Sequence, residues 1–402
     1  MFGALASRNF ALLFAGSSIA NIGIWMQSVA MGWLIYDLTG SASWLGRVGF
    51  AQSAPTLLFG LIGGAMFEHS DRKKTMMGAA LLYSIGALSL AALTIGGGIK
   101  IWMIVCLSLV TGTATAIYMP MFQASMPKLV PAENLTSAIS LNSVSFNVAR
   151  VIGPLIAGVV MTVSGSGWCF AVNGIGFLVL VGTILGLRMP PHEEVSRGPV
   201  GQALSAGFAY ALHHPQIRAL LLMVLVLSLF GFPYVVLMPA FAREVLSLDA
   251  EGFTLLFSSV GGGAVVGGLM LAARGDSWSK GRLVLAAGFV FGALLTVVAQ
   301  TQSFTAAALT FFFIGASMII CIASLNTLVQ IMVDEDMRAR VMSMVTVSLF
   351  GLPTLSGWLL GSIADRIGIP FVLTLGGSVV MAAAVMLFFM APSLRRLENM
   401  PE

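Results

Sequence analysis

Residues 137–163 read SAISLNSVSFNVARVIGPLIAGVVMTV. One residue in this run is charged, Arg150, and it stands in the middle with thirteen residues on either side. A helix needs about 20 residues to cross the hydrocarbon core of a bilayer, so the run is long enough to span. A guanidinium near the midplane costs roughly 2.5 to 3.5 kcal/mol on insertion scales, and such residues usually face a polar cavity or a substrate path. Gly153 and Pro154 follow within four residues, then Gly158. A spanning helix with a central charge and a Gly-Pro interruption points to a transporter rather than an inert anchor.

The rest of the chain agrees in composition. Its 402 residues are 58% hydrophobic and 9% charged, against about 25% charged in soluble domains. An ordinary cytosolic protein is excluded. The net charge of +4 is too small to signal nucleic acid. The 45 glycines suit closely packed membrane helices. Arg8 precedes the first apolar run, but that run is too long for a cleavable signal peptide and others follow it. Cys106, Cys169 and Cys321 lie in separate apolar runs and read as small buried hydrophobes. No metal-ligand spacing occurs, and the adjacent His213 and His214 read as loop surface.

Twelve apolar runs approach spanning length: 10–36, 44–67, 75–97, 101–125, 137–163, 166–187, 218–242, 252–273, 282–301, 304–332, 339–364 and 369–391. With the N-terminus inside, 15 Lys and Arg fall in cytoplasmic segments and 4 outside, Arg150 lying in the membrane. The outer four are Arg47, Lys100, Arg243 and Arg366. The positive-inside rule therefore places both termini in the cytoplasm. The expected organisation is a six-helix half over 1–187, a cytoplasmic linker over 188–217, a second half over 218–391 and a tail over 392–402. Val200, Leu204, Phe208 and Leu212 recur every four residues, which predicts an amphipathic linker helix on the inner membrane face.

The two halves echo each other. Asn134 to Ser140 is followed by Pro154 and Gly158; Asp336 to Ser343 is followed by Pro353 and Gly357. Each stretch opens the fifth span of its half, with a proline mid-span and a glycine four residues after it. Duplication of this kind predicts a transporter with its binding site between the halves.

On these residues the chain resembles the major facilitator superfamily over its whole length. Gly63-Gly64-Ala-Met-Phe-Glu68-His69-Ser-Asp71-Arg72-Lys73-Lys74 is similar to the superfamily's signature loop, with Glu68, His69 and Asp71 where Asp, Arg and Gly are usual. The resemblance implies that Gly64, Glu68, Asp71 and Arg72 belong to the inner gate, Glu68 acting at the N-terminal end of the eleventh span. A carboxylate is favoured at a helix N-terminus by roughly 0.3 to 1 kcal/mol. Gly153-Pro154-x-x-x-Gly158 is similar to the fifth-helix motif of exporters, although Val159 stands where a further glycine is expected. Gly153, Pro154 and Gly158 are therefore also expected to take part in gating. A kinked, closely packed helix is the structural alternative.

More narrowly, Tyr36 to Ser41, Phe146 to Pro154 and Arg338 to Ser343 resemble the branch that holds bacterial enterobactin exporters and macrolide efflux proteins. Gly361 to Gly368 echoes the loop motif too, but falls on the outer side. It reads as a turn with local charge pairing.

Substrate-contact candidates are the polar residues inside apolar spans: Gln27, Gln52, Tyr118, Gln123, Asn142, Asn147, Arg150, Tyr234 and Asn326. Each amide could equally be a hydrogen bond between helices. No acid falls at a span centre, so an anionic or polyphenolic substrate group is expected to pair with Arg150. No phosphate-binding Gly-x-x-x-x-Gly-Lys loop occurs, which points to secondary transport. The resemblance implies proton antiport. Asp37 is the candidate proton-linked carboxylate, with an outer helix cap as its alternative.

The expectation is a multi-pass protein of the bacterial inner membrane, with the bilayer, a proton gradient and a small molecule as its partners. No cofactor and no nucleic acid are expected, and it should work as a monomer. The best reading is an exporter of small amphipathic molecules, siderophore or drug-like. An importer of a ferric siderophore or other metabolite is the alternative. A membrane enzyme is disfavoured, since no His/Asp/Glu or Cys/His constellation lies within the spans.

Overall fold

The computed structural model describes residues 3–66, 71–188, 208, 210–274 and 279–390, without the side chains of 59–66, 339 and 350. The helices among them, numbered in chain order, are α1 Arg8–Thr39, α2 Ala42–Met66, α3 Arg72–Ile95, α4 Ile101–Ser125, α5 Leu135–Ser164 and α6 Ser166–Leu185. They continue with α7 Pro215–Glu244, α8 Ala250–Arg274, α9 Lys280–Ala299, α10 Phe304–Met332, α11 Glu335–Ile367 and α12 Ile369–Met390. Among the described residues, eleven of these helices are long and apolar enough to cross a membrane, α2 being the one outside that set.

The helices follow the apolar runs because a helix satisfies every backbone group within its own segment, as hydrocarbon demands. One run departs from the expectation. α7 is a compound helix, with α-helical Pro215–Val226 and Pro233–Glu244 separated by the π-helical turn Leu227–Gly231. Pro233 has no N–H to give the carbonyl four residues back, so the ladder must reorganise just before it.

By its internal contacts the chain forms two compact units, Met1–Gly40 with Val48–Gly198, and Ser41–Arg47 with Pro199–Glu402. In the first, α1 packs on α5 and α6, and α3 packs on α4 and α6. A buried cluster that includes Phe10, Met76, Tyr83, Phe122, Phe177 and Leu180 fills its interior. In the second, α7 packs on α11 and α12, and α9 packs on α10 and α12. First helix to fifth and sixth, third to fourth and sixth: the same partners recur in each unit.

The junction between fifth and sixth helices repeats as well. It is a single glycine in both, Gly165 at φ 90° and Gly368 at φ 101°. An L side chain is strained there, so glycine is what allows so abrupt a reversal.

The expected amphipathic linker helix falls largely outside the described residues, Val200 and Leu204 included. Phe208 and Leu212 are described, and both are exposed. The helical turn at the linker's end runs through His213, which corrects its reading as loop. His214 stacks on Tyr210 at 4.2 Å. The Tyr210 hydroxyl donates to Asp334 at the start of α11 over 2.9 Å.

Candidate functional site

Two faces of α5 explain the position of Arg150. Val144, Val148, Ile152, Leu155, Val159 and Val163 form an exposed apolar row, suited to hydrocarbon. Ala149, Gly153, Ala157 and Met161 are buried on the opposite side. Arg150 is half-buried on that same side, seven residues before Ala157, and is the sixteenth of the helix's thirty residues.

Its neighbour is on α1. The guanidinium carbon lies 5.6 Å from the centre of the Trp25 ring, within the range of a cation–π interaction. Phe146, one turn earlier on α5, meets Trp25 edge-on at 5.8 Å. Gly153, nearly one turn later, brings the two helices together. A Cβ there would sit 2.6 Å from Trp25 Cβ and 3.1 Å from the Ile22 carbonyl oxygen. Small residues permit close approach in membranes, and here the approach holds the indole beneath the cation.

Pro154 adds a second effect. It cannot donate to the carbonyl four residues back, and that carbonyl belongs to Arg150. The same residue therefore carries the charge and a backbone oxygen released from the helical ladder. Together Trp25, Phe146, Arg150, Gly153 and Pro154 make a half-buried aromatic and cationic surface, able to hold a flat or anionic group by stacking and bidentate hydrogen bonds.

Over residues 1–401 the chain matches the family described as transmembrane secretion effector, a branch of the major facilitator superfamily. The chain belongs to this family. It is 24% identical to macrolide efflux protein A of Streptococcus pyogenes over 387 residues, 94% of each chain. It is 26% identical to the staphyloferrin A transporter of Staphylococcus aureus, over 71% of this chain and 72% of that one. An enterobactin exporter of Shigella boydii is 25% identical over 69% of this chain and 66% of its own.

Among solved structures, a bacterial homologue of the human lysosomal transporter Spinster superposes with a TM-score of 0.74 at 14% identity, covering 98% of both chains. A D-xylose–proton symporter gives 0.72 at 15% identity, again covering 98% of both. At these identities the likeness establishes the fold. This family member is thus a multi-pass transporter of the bacterial inner membrane, not an enzyme.

The transporter's other candidate residues divide by setting. Gln27 is 2% exposed and takes a hydrogen bond from Asn173 Nδ2 of α6 at 2.7 Å. The pair leaves Gln27 Nε2 and Asn173 Oδ1 buried without a hydrogen bond among the described residues. Tyr234 is likewise buried, its hydroxyl 3.6 Å from Met318 Sδ between Phe291 and Phe311. Gln52 and Tyr118 are half-buried, the Tyr118 ring stacking on Phe122 at 5.8 Å. Asn142, Asn147 and Asn326 are half-buried, and Asn147 bonds back to the Ser143 carbonyl of its own helix at 2.8 Å. Gln123 and Asp37 are exposed. Arg150 and Asn147 share α5, while Gln27 joins a different interface from Trp25, two residues away.

In the signature loop, Glu68 lies outside the described residues, and Gly64 belongs to the backbone of α2. Asp71 caps its own helix, accepting from the N–H groups of Lys73 and Lys74 at 3.0 and 3.2 Å. Arg72 donates to the Ala124 carbonyl at the end of α4 at 3.2 Å. Lys73 donates to the carbonyls of Leu185 and Leu187 at the end of α6, both at 2.8 Å. These cations complete C-terminal helix ends whose carbonyls have no helical partner.

Asn173 was absent from the candidates, although an amide in the apolar run 166–187 carries the same signal as Gln27. The reading of 361–368 as a turn with local charge pairing is corrected. α11 stays helical to Ile367, and the Asp365 carboxylate engages the start of α2.

Proposed function

We propose that the chain is a proton-linked exporter of small amphipathic molecules of the siderophore or drug-like class, with an anionic or polyphenolic group that pairs with Arg150. It has twelve spans, both termini in the cytoplasm, and works by alternating access, residues 1–187 rocking against 218–391. The observation that carries this reading is the Arg150 guanidinium set over Trp25 half-way along α5. An arginine in hydrocarbon is expensive, and beside a half-buried indole it suits a catecholate or carboxylate. Relatives that move macrolides, staphyloferrin A and enterobactin support the substrate class. The distribution of Lys and Arg, 15 to 4, supports the orientation. Asp37, exposed near the end of α1, is the proposed proton-linked carboxylate.

The test is metabolite mass spectrometry on a strain lacking the gene, grown with and without iron. Export predicts a compound retained in deletion cells and depleted from their medium. A compound depleted from cells instead would mean import. No change in either fraction, with toxic compounds equally tolerated, would reject the reading.

A further inference from the structure

The first turns of α2 are held by a residue 324 positions away in sequence. Asp365, in the last turn of α11, accepts from Ser41 Oγ at 2.6 Å, from the Ala42 N–H at 2.7 Å and from the Ser43 N–H at 3.1 Å. Ser43 Oγ and Ser362 Oγ lie 2.9 Å apart. The first N–H groups of a helix lack intrahelical partners, and a carboxylate is their best acceptor. α3 finds that cap in its own chain segment, in Asp71. α2 takes it from α11.

The surrounding surface is shaped to fit. A Cβ on Gly361 would lie 2.6 Å from the Ala42 carbonyl oxygen, and one on Gly46 would overlap the backbone of Gly357 and Trp358. The Arg47 guanidinium stacks 4.7 Å from the Trp44 ring and 5.8 Å from that of Trp358. Ser41–Arg47 accordingly groups with the second unit, while the chain on both sides, to Gly40 and from Val48, groups with the first. The boundary between units thus falls inside one helix, whose start is held by hydrogen bonds that are part-buried except for that of Ser41, which is exposed. Asp365 itself stays exposed, so its hydrogen bonds can be exchanged for bonds to water at modest net cost.

We propose that Asp365 is an outer latch: it clasps the start of α2 in one state of the transport cycle and releases it in the other. The proposal rests on the alternating-access reading and on the orientation given above. Ser41, Ser43 and Ser362 are its partners, and Gly46 and Gly361 provide the close approach.

The test uses the full chain in intact cells, with Cys106, Cys169 and Cys321 replaced by Ser and a reporter Ser362→Cys. A membrane-impermeant maleimide reads the exposure of that thiol. With Asp365 present labelling should be slow. Asp365→Ala should speed it about fivefold, the population shift expected from losing one helix cap. Asp365→Asn, which keeps an acceptor and the fold, should fall between. In the same background, Ser43→Cys with Ser362→Cys should close to a disulfide on mild oxidation.

Equal labelling in all three forms, or no disulfide, overturns the latch. Labelling only after permeabilisation overturns its outer placement. The readout needs no substrate. Equal labelling with export intact would therefore reject the latch alone. Asp365-dependent labelling in a chain that moves no compound would reject the transport reading instead.

Discussion

Arg150 and Trp25, from helices α5 and α1, meet with the guanidinium carbon 5.6 Å from the indole centre. The pair joins a charge that hydrocarbon disfavours to a ring whose face attracts cations. Two consequences separate a substrate contact from a purely structural one. Arg150→Lys keeps the charge but loses the planar fork, so transport should fall several-fold with protein abundance unchanged. Arg150→Ala should lower it at least tenfold, about 1.4 kcal/mol at the transport step. Initial rates normalised to membrane protein check both; equal rates for wild type and Arg150→Ala would leave the arginine structural.

Gly153→Ala should loosen the same contact from the backbone side. The added methyl meets Trp25 Cβ at 2.6 Å, and overpacking of this kind costs about 1–3 kcal/mol. Thermal unfolding in detergent should show a Tm several degrees lower. Gly182→Ala, on α6 with open space around its Cβ, should leave Tm unchanged or slightly raised. Equal shifts for the two would mean that helix propensity, rather than proximity to Trp25, sets the effect.

Gln27 and Asn173 form a buried amide pair. Replacing either by Leu strands the other, at about 1–3 kcal/mol. Replacing both should recover much of that loss, because no amide is then left buried alone. A double-mutant cycle on Tm measures the coupling. Export retained by the double variant would assign the pair to packing; export lost at full stability would return Gln27 to the substrate path.

Asp71 separates capping from gating. Asp71→Ala removes the acceptor for two N–H groups of α3 and should lower stability by about 1 kcal/mol. Asp71→Asn should lose little, since Asn caps nearly as well. Its pair with Lys74, at 3.8 Å on an exposed surface, should contribute little. Transport abolished by both variants at unchanged Tm would point to gating after all.

Much of the fold was legible in the sequence, because apolar runs of about 20 residues bounded by Lys, Arg and Pro can satisfy their backbone in hydrocarbon as helices. The run 101–125 coincides with α4 and 304–332 with α10. The π turn before Pro233 was not, since a proline announces a break without saying how the backbone repairs it. Arg150 stood out as a lone charge. That Trp25 lies beneath it depends on how α1 meets α5, and helical periodicity within one segment does not encode its partner. The same limit hid Asn173 behind Gln27 and led Asp365 to be read as part of a local turn, when its acceptors' partners lie at the start of α2.

Gradient-driven transport should depend on Arg150. Inside-out membrane vesicles holding the chain offer the most direct measurement, loaded externally with the compound that the deletion strain retains. Accumulation should be driven by an imposed proton gradient, collapsed by a protonophore and lost in Arg150→Ala vesicles of equal protein content. Accumulation no greater than in vesicles lacking the chain, or unchanged by Arg150→Ala, would contradict it.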